Sequence, residues 1–173
     1  SNLPMPVTSA RRMADTGIRD MTCATTSLAD YAARIGEEIG VSNWIEVDQT
    51  RINSFAETTL DDQYIHVDPE RAASGPFGGT IAHGFLTLSL LSRMSFDALP
   101  TIGDAKMGVN YGMNSLRFLT PVKSGQRVRG RFLLRDIARK DENRVLITYD
   151  ATVEIEGDVK PALVAEWLIM TIL

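Results

Sequence analysis

The chain changes its hydrophobic rhythm partway along. From residue 28 to about residue 97 apolar positions recur mostly at helical spacing, and from residue 107 onward they alternate with polar ones. Residues 1–26 follow neither rhythm and are expected to form a flexible arm ahead of one domain over 27–173. Ser27 reads as an N-cap for "LADYAARIGEEIG", where Leu28, Ala32, Ile35 and Ile39 share a helical face and Gly40 ends the run. "SNWIEVD" alternates and predicts a short strand. Asp48 is placed to cap a second helix, "QTRINSFAETT", with Ile52, Phe55 and Ala56 turned inward. Asp68 followed by Pro69 is an N-cap with proline at the first helical position, and "SGPFGG" after it is a loop.

"HGFLTLSLLSRMSF" follows, with apolar residues on nearly every face, which predicts a helix buried all round. Four strand-like stretches come next: "AKMGVNYGMNSLRFLT", "QRVRGRFLLRDIA", "NRVLITYDATVEIEG" and "PALVAEWLIMTIL". Turn residues separate them at 121–125, 140–143 and 157–158. Short connections favour antiparallel pairing, so the fold class is α+β. A long sheet and one apolar helix have a simple solution, in which the sheet curves around the helix.

Composition narrows the picture without changing it. The 173 residues are 44% hydrophobic and 23% charged, ordinary for one globular domain. The net charge of -4 argues against nucleic acid as a partner. No apolar run reaches the length a membrane span needs. The opening arginines have no apolar stretch behind them, so the start does not read as a secretory signal. A single cysteine, Cys23, fits a reducing compartment, and the cytoplasm is the expected location. Basic residues gather between Lys106 and Arg144, which either suits a small anionic ligand or marks a solvated sheet face.

The chemistry-bearing residues lie in "DDQYIHVDPERAASGPFGGTIAHGFLTLSLL", which contains both histidines of the chain. An aspartate, four residues, a histidine and Asp-Pro, then a loop and His-Gly opening an apolar helix, resembles the MaoC-type, R-specific enoyl-CoA hydratase family, and most closely its NodN-like bacterial members. The resemblance runs over roughly residues 28–170. It implies the hotdog fold, in which a curved antiparallel sheet envelops a long central helix, matching the element order read above. It also implies hydration of trans-2-enoyl-CoA thioesters to (R)-3-hydroxyacyl thioesters, or the reverse, in fatty acid metabolism.

Carried onto this sequence, the resemblance makes Asp61 and His66 the catalytic pair, with Gln63 where relatives use Asn or Gln. Gly84 would present its backbone N–H to the thioester carbonyl. His83 matches the His-Gly step, and Ser92 falls where some members place a serine near the site. In the covering loop, Phe77 is expected beside the acyl chain, together with Gly79. Relatives usually have glycine before the aspartate, where this chain has Leu60, so the end of the preceding helix is open to a different shape. The resemblance implies an acyl-CoA substrate and a homodimer with sheets joined edge to edge, and it calls for no metal or organic cofactor.

The residue types suit that chemistry. Hydration of a conjugated thioester needs a water deprotonated as it attacks C3, a proton for C2, and stabilisation of charge on the thioester oxygen. An imidazole and a carboxylate sharing one water divide the proton work. N–H groups at a helix start meet the oxyanion. Against this stands a structural histidine, commoner for an isolated Asp and His at this spacing. A metal held by His66, His83 and Asp68 has no ligand spacing to mark it. Two other functions compete: an acyl-CoA thioesterase, disfavoured because the apolar helix has no acid before Asp97, and a non-catalytic acyl-thioester binding protein.

Overall fold

A computed structural model describes residues 24–173. Residues 1–23, which include Cys23 and most of the expected arm, lie outside the described residues. The elements in chain order are β1 (Thr25–Thr26), α1 (Leu28–Ala32), β2 (Glu38–Val41), β3 (Ile45–Val47), α2 (Gln49–Thr59), α3 (Tyr64–Val67), α4 (Pro69–Ala73), α5 (Gly84–Ala98), β4 (Thr101–Ile102), β5 (Met107–Phe118), β6 (Gln126–Arg139), β7 (Arg144–Ile155) and β8 (Leu163–Ile172).

The four long strands fall where the alternation places them. They form an antiparallel sheet ordered β2-β6-β7-β8-β5, with β3 also paired to β6. Every second residue of β6 from Val128 to Leu134 is buried, as are Val145, Ile147, Tyr149, Ala151 and Val153 of β7. These side chains face α5, whose Leu86, Leu90, Leu91 and Met94 complete the core. The helix lies close on the sheet at Gly130, where an added Cβ would come within 2.9 Å of the Met94 Cβ. This curved sheet around one helix is the hotdog arrangement.

Three expectations need correction. The helix from Ser27 ends after little more than one turn: Gly36 takes φ 94° and donates its N–H to the Leu134 carbonyl at 2.7 Å. That turn swings Glu38–Val41 onto β6 as a strand, so Ile39 belongs to the sheet and Ile35 to an exposed turn. Nor is α5 buried all round. Phe85 and Phe96 are 66% and 69% exposed, along a stripe that continues through Ser89 and Arg93. Finally, Thr25 and Thr26, assigned to the arm, pair in parallel with β4, a strand too short for the sequence pattern to show.

The β6 part of the basic stretch is a charge-paired sheet face. On the outer surface Arg129 and Arg131 both bond Glu154, Arg131 also bonds Glu38, and Arg135 lies 2.9 Å from Asp150. Arg127 pairs with Glu156. These cross-strand pairs balance the four arginines locally.

Candidate active site

The site is assembled where α2, α3 and the start of α5 converge. The Asp48 side chain caps α2 by accepting from the Arg51 N–H at 2.8 Å, and the helix runs to Leu60. Leu60 is the one described non-glycine residue with positive φ, at 61° with ψ 25°. It therefore takes the left-handed C-cap conformation for which glycine is suited. The leucine keeps the helix end in that shape and delivers Asp61 immediately after it.

His66 lies on the single turn of α3 and is 7% exposed. Its Nδ1 is 2.7 Å from the Ile81 carbonyl oxygen. A carbonyl only accepts, so the proton is on Nδ1 and Nε2 carries a free lone pair. The backbone of α3 is fixed from behind by Gln49, whose Nε2 donates to the His66 carbonyl at 2.6 Å while its Oε1 accepts from the Thr80 hydroxyl at 2.6 Å. Sequence reasoning passed over Gln49, since nothing in local spacing distinguishes it from an ordinary first-turn residue. The Ile81 N–H returns to the Ile65 carbonyl at 3.0 Å, and the Ala82 N–H reaches the Val122 carbonyl at 2.7 Å. Thus the loop before α5 is sewn on both sides.

His83 is 3% exposed. Its Nε2 is 2.9 Å from the Asp61 carbonyl oxygen, and its ring stacks on that of His66 with centroids 3.7 Å apart and planes 23° off parallel. One nitrogen from each imidazole and a carboxylate oxygen of Asp61 lie within 4.8 Å of one another. A single water spans such a gap with bonds of about 2.8 Å to each side. Burial pulls the His66 pKa below the ordinary imidazole value; the neighbouring His83 acts in the same direction, while the bond to Ile81 and the Asp61 charge partly oppose it. His66 is accordingly held in its neutral, proton-accepting form.

Each ring gives one N–H to a backbone carbonyl, which leaves His66 Nε2 and His83 Nδ1 with lone pairs; with an Asp61 oxygen these are the groups that could hold a metal ion among the described residues. Asp68 is engaged elsewhere, capping α4 through the Arg71 N–H at 3.0 Å.

The remaining sequence candidates are dispersed. Gly84 is the first residue of α5, its N–H among those with no partner inside the helix. It lines an apolar cavity of about 400 Å³ with Phe85, Thr87, Phe118, Pro121 and Val122. A Cβ at Gly84 would meet the Phe118 ring at 3.0 Å, so glycine keeps this passage open. Asp61 and His66 do not line the cavity; Ile81, whose carbonyl holds His66, does.

Gln63 precedes α3, exposed, and makes no side-chain cap bond. Phe77 and Gly79 are half-buried in the loop after α4. Phe77 lines a second groove with Lys123, joined to the first by their shared Thr120 and Pro121. Ser92 is two turns along α5 from Gly84. It accepts a bond from Asn110 at 3.1 Å and lines a separate cavity with Met113 and Trp167. Met107, the other methionine considered for the acyl tunnel, is exposed on β5.

A sheet-wrapped helix with an aspartate and a histidine brought together near its start defines a hotdog protein, and comparison with known proteins gives the family. The MaoC like domain family matches residues 30–155, so the chain belongs to that family of dehydratases. It is 57% identical over 143 residues to "Nodulation protein N" of Rhizobium leguminosarum bv. viciae, covering 82% of this chain and 89% of the relative. It is 48% identical to "3-hydroxyacyl-thioester dehydratase Z" of Mycobacterium tuberculosis (strain ATCC 25618 / H37Rv), covering 83% of this chain and 94% of the relative. Among solved structures, the (R)-hydratase from A. caviae involved in PHA biosynthesis superposes with TM-score 0.62 at 25% identity, over 78% of this chain and 94% of that one. The chain is an enzyme of the hydratase–dehydratase class, a lyase.

Proposed function

We propose that the chain adds water across the double bond of trans-2-enoyl-CoA thioesters to give (R)-3-hydroxyacyl-CoA, and catalyses the reverse dehydration. The observation that carries this reading is the approach of the Asp61 carboxylate and the imidazole of His66 within 4.8 Å, with His66 Nδ1 tied to Ile81 so that Nε2 is free. Asp61 and His66 hold one water between them. As its oxygen bonds to C3, the pair takes up the water's proton and delivers that same proton to C2. The C2–C3 π electrons form the new C2–H bond through an enolate-like state, and the pair ends with the protons it began with. Delivery from one side makes the addition syn.

Charge developing on the thioester oxygen is met by the Gly84 N–H, with the positive end of the α5 dipole behind it. The apolar cavity at Gly84 and its continuation to Phe77 and Lys123 give the thioester and its pantetheine arm a path, so Phe77 is assigned to the carrier arm rather than the acyl chain. No metal or organic cofactor enters the scheme. We place the enzyme in the cytoplasm as a homodimer; among the described residues no helix is long and apolar enough to cross a membrane.

The dimer reading rests on β5, the last strand of the sheet order. Met107, Val109, Tyr111 and Phe118 on it are exposed, beside the exposed Phe85 on α5. A long apolar edge strand is normally covered, and pairing with a second copy covers it.

The test is direct. Purified protein mixed with trans-2-enoyl-CoA esters of short and medium chain should remove the conjugated thioester absorbance and yield the (R)-3-hydroxy product on chiral analysis. Release of free thiol with no hydroxyacyl product would instead make it a thioesterase, and tight binding without turnover a binding protein.

A further inference from the structure

His83 entered as a substrate-contacting residue, yet burial leaves its side chain only 3% exposed, and its bonds all turn inward. We propose that His83 is the positioning residue of the site: it clamps the Asp61 backbone and the His66 ring in one geometry without touching substrate. The inference rests on the dehydratase reading above and adds a role that this reading does not contain.

Three observations meet at this one side chain. Its Nε2–H donates to the Asp61 carbonyl at 2.9 Å, so the residue after the strained Leu60 is pinned at its own backbone. Its ring is the floor on which His66 lies, at 3.7 Å, which restricts rotation of His66 about its side-chain bonds. On the α2 side Phe55 packs against it with centroids 5.0 Å apart and planes at 50°. Its main chain meanwhile opens α5, with the His83 carbonyl accepting from the Thr87 N–H at 3.2 Å. Gly84 follows it directly. A single buried residue therefore ties together the carboxylate donor segment, the imidazole and the oxyanion-binding N–H.

The tautomer follows from the partners. Nε2 faces a carbonyl and must carry the proton; Nδ1 is buried with no hydrogen-bond partner among the described residues, so no donor is satisfied there. His66 is the mirror case, protonated on Nδ1. The two stacked rings hold opposite tautomers. An Asp61 freed from its anchor would keep its charge but lose its place, and a displacement near 1 Å from the productive geometry can cost about 100-fold in rate.

Two variants separate the parts of the clamp. His83→Phe keeps an aromatic floor for His66 and removes the donor to Asp61; His83→Gln keeps an amide donor at the position of Nε2 and removes the ring. With enoyl-CoA as substrate, His83→Phe should lower kcat by about 10- to 100-fold with KM changed less than about 3-fold. His83→Gln should recover a substantial part of that loss. Wild-type kcat in His83→Phe would overturn the proposal, as would a rise in KM at unchanged kcat, which marks a substrate contact. A loss in kcat that matches the unfolded fraction in a thermal melt would also overturn it, leaving a purely structural residue.

Asp61→Asn is measured alongside. If it is inactive while His83→Phe is normal, this inference alone fails; if it is active, the dehydratase reading fails and takes the inference with it. The unmodified protein supplies a second test that needs no variant to fold. With two histidines in the chain, ¹⁵N NMR should show one neutral ring protonated at Nε2 and the other at Nδ1. Two rings of the same tautomer would contradict the clamp.

Discussion

Leu60 carries a conformational cost that its position turns to use. A leucine at φ 61° is strained by about 1–2 kcal/mol relative to glycine. It is 87% exposed, so no packing repays the cost. Leu60→Gly should therefore raise stability by about 1 kcal/mol, or a melting temperature higher by about 2–4 °C, with activity unchanged or increased. A lower melting temperature in differential scanning calorimetry would show that the leucine side chain is held by something in the folded protein. Placement of Asp61 survives the substitution because the Asp61 carbonyl is separately anchored by His83.

His66 makes a pH prediction with a definite sign. Its folded-state pKa lies below the ordinary value near 6.5, chiefly through burial. The unfolded chain thus binds more protons than the folded one in that range. The stability from a neutral buried His66 is complete above the ordinary imidazole value and is lost as pH falls through it toward the lower folded-state pKa. The acid limb of kcat/KM should likewise sit below pH 6.5. An acid limb above 6.5 would mean that some other group is the one that must be deprotonated.

At the scale of elements, the long pieces were legible because periodicity is a property of many residues at once. β5 to β8 and α2 announce themselves by alternation or a capped amphipathic run, and Asp48 and Asp68 mark their helix starts by side-chain chemistry that needs no tertiary context. The stretch after Ser27 misled because Ile35 and Ile39 happen to keep helical spacing, while the deciding event is the bond from Gly36 to Leu134, about a hundred residues away in sequence. The exposed stripe on α5 was hidden by the same logic: phenylalanine at 85 and 96 reads as core unless a second surface is expected to cover it. Edge strand β5 joins that stripe, and replacing Tyr111 with lysine should place charge on the exposed edge and weaken self-association. Sedimentation of wild type and Tyr111→Lys checks this; an unchanged dimer would place the interface elsewhere, and a monomeric wild type would remove it.

Across the whole molecule, the site is where distant segments close on one another. Asp61 and His66 were readable from a motif of six residues, but their convergence depends on Ile81, His83 and Gln49, which belong to two other places in the chain. Such partners leave no local pattern. The curved sheet fixes them together: Val122 and Lys123, just before β6, hold the 80–82 loop, that loop holds α3, and α5 rests against Gly130 at the centre of β6. Ser92 and Phe77 shared the motif region yet ended in other cavities, since closeness in sequence is no guarantee of a common surface.

The most direct measurement compares wild type, Asp61→Asn and His66→Gln for hydration of a trans-2-enoyl-CoA, each with a thermal melt. General acid–base groups contribute about 10²- to 10⁴-fold, so each variant should lose at least about 100-fold in kcat while melting within a few degrees of wild type. Near-normal turnover in either well-folded variant would contradict a shared water between these two side chains.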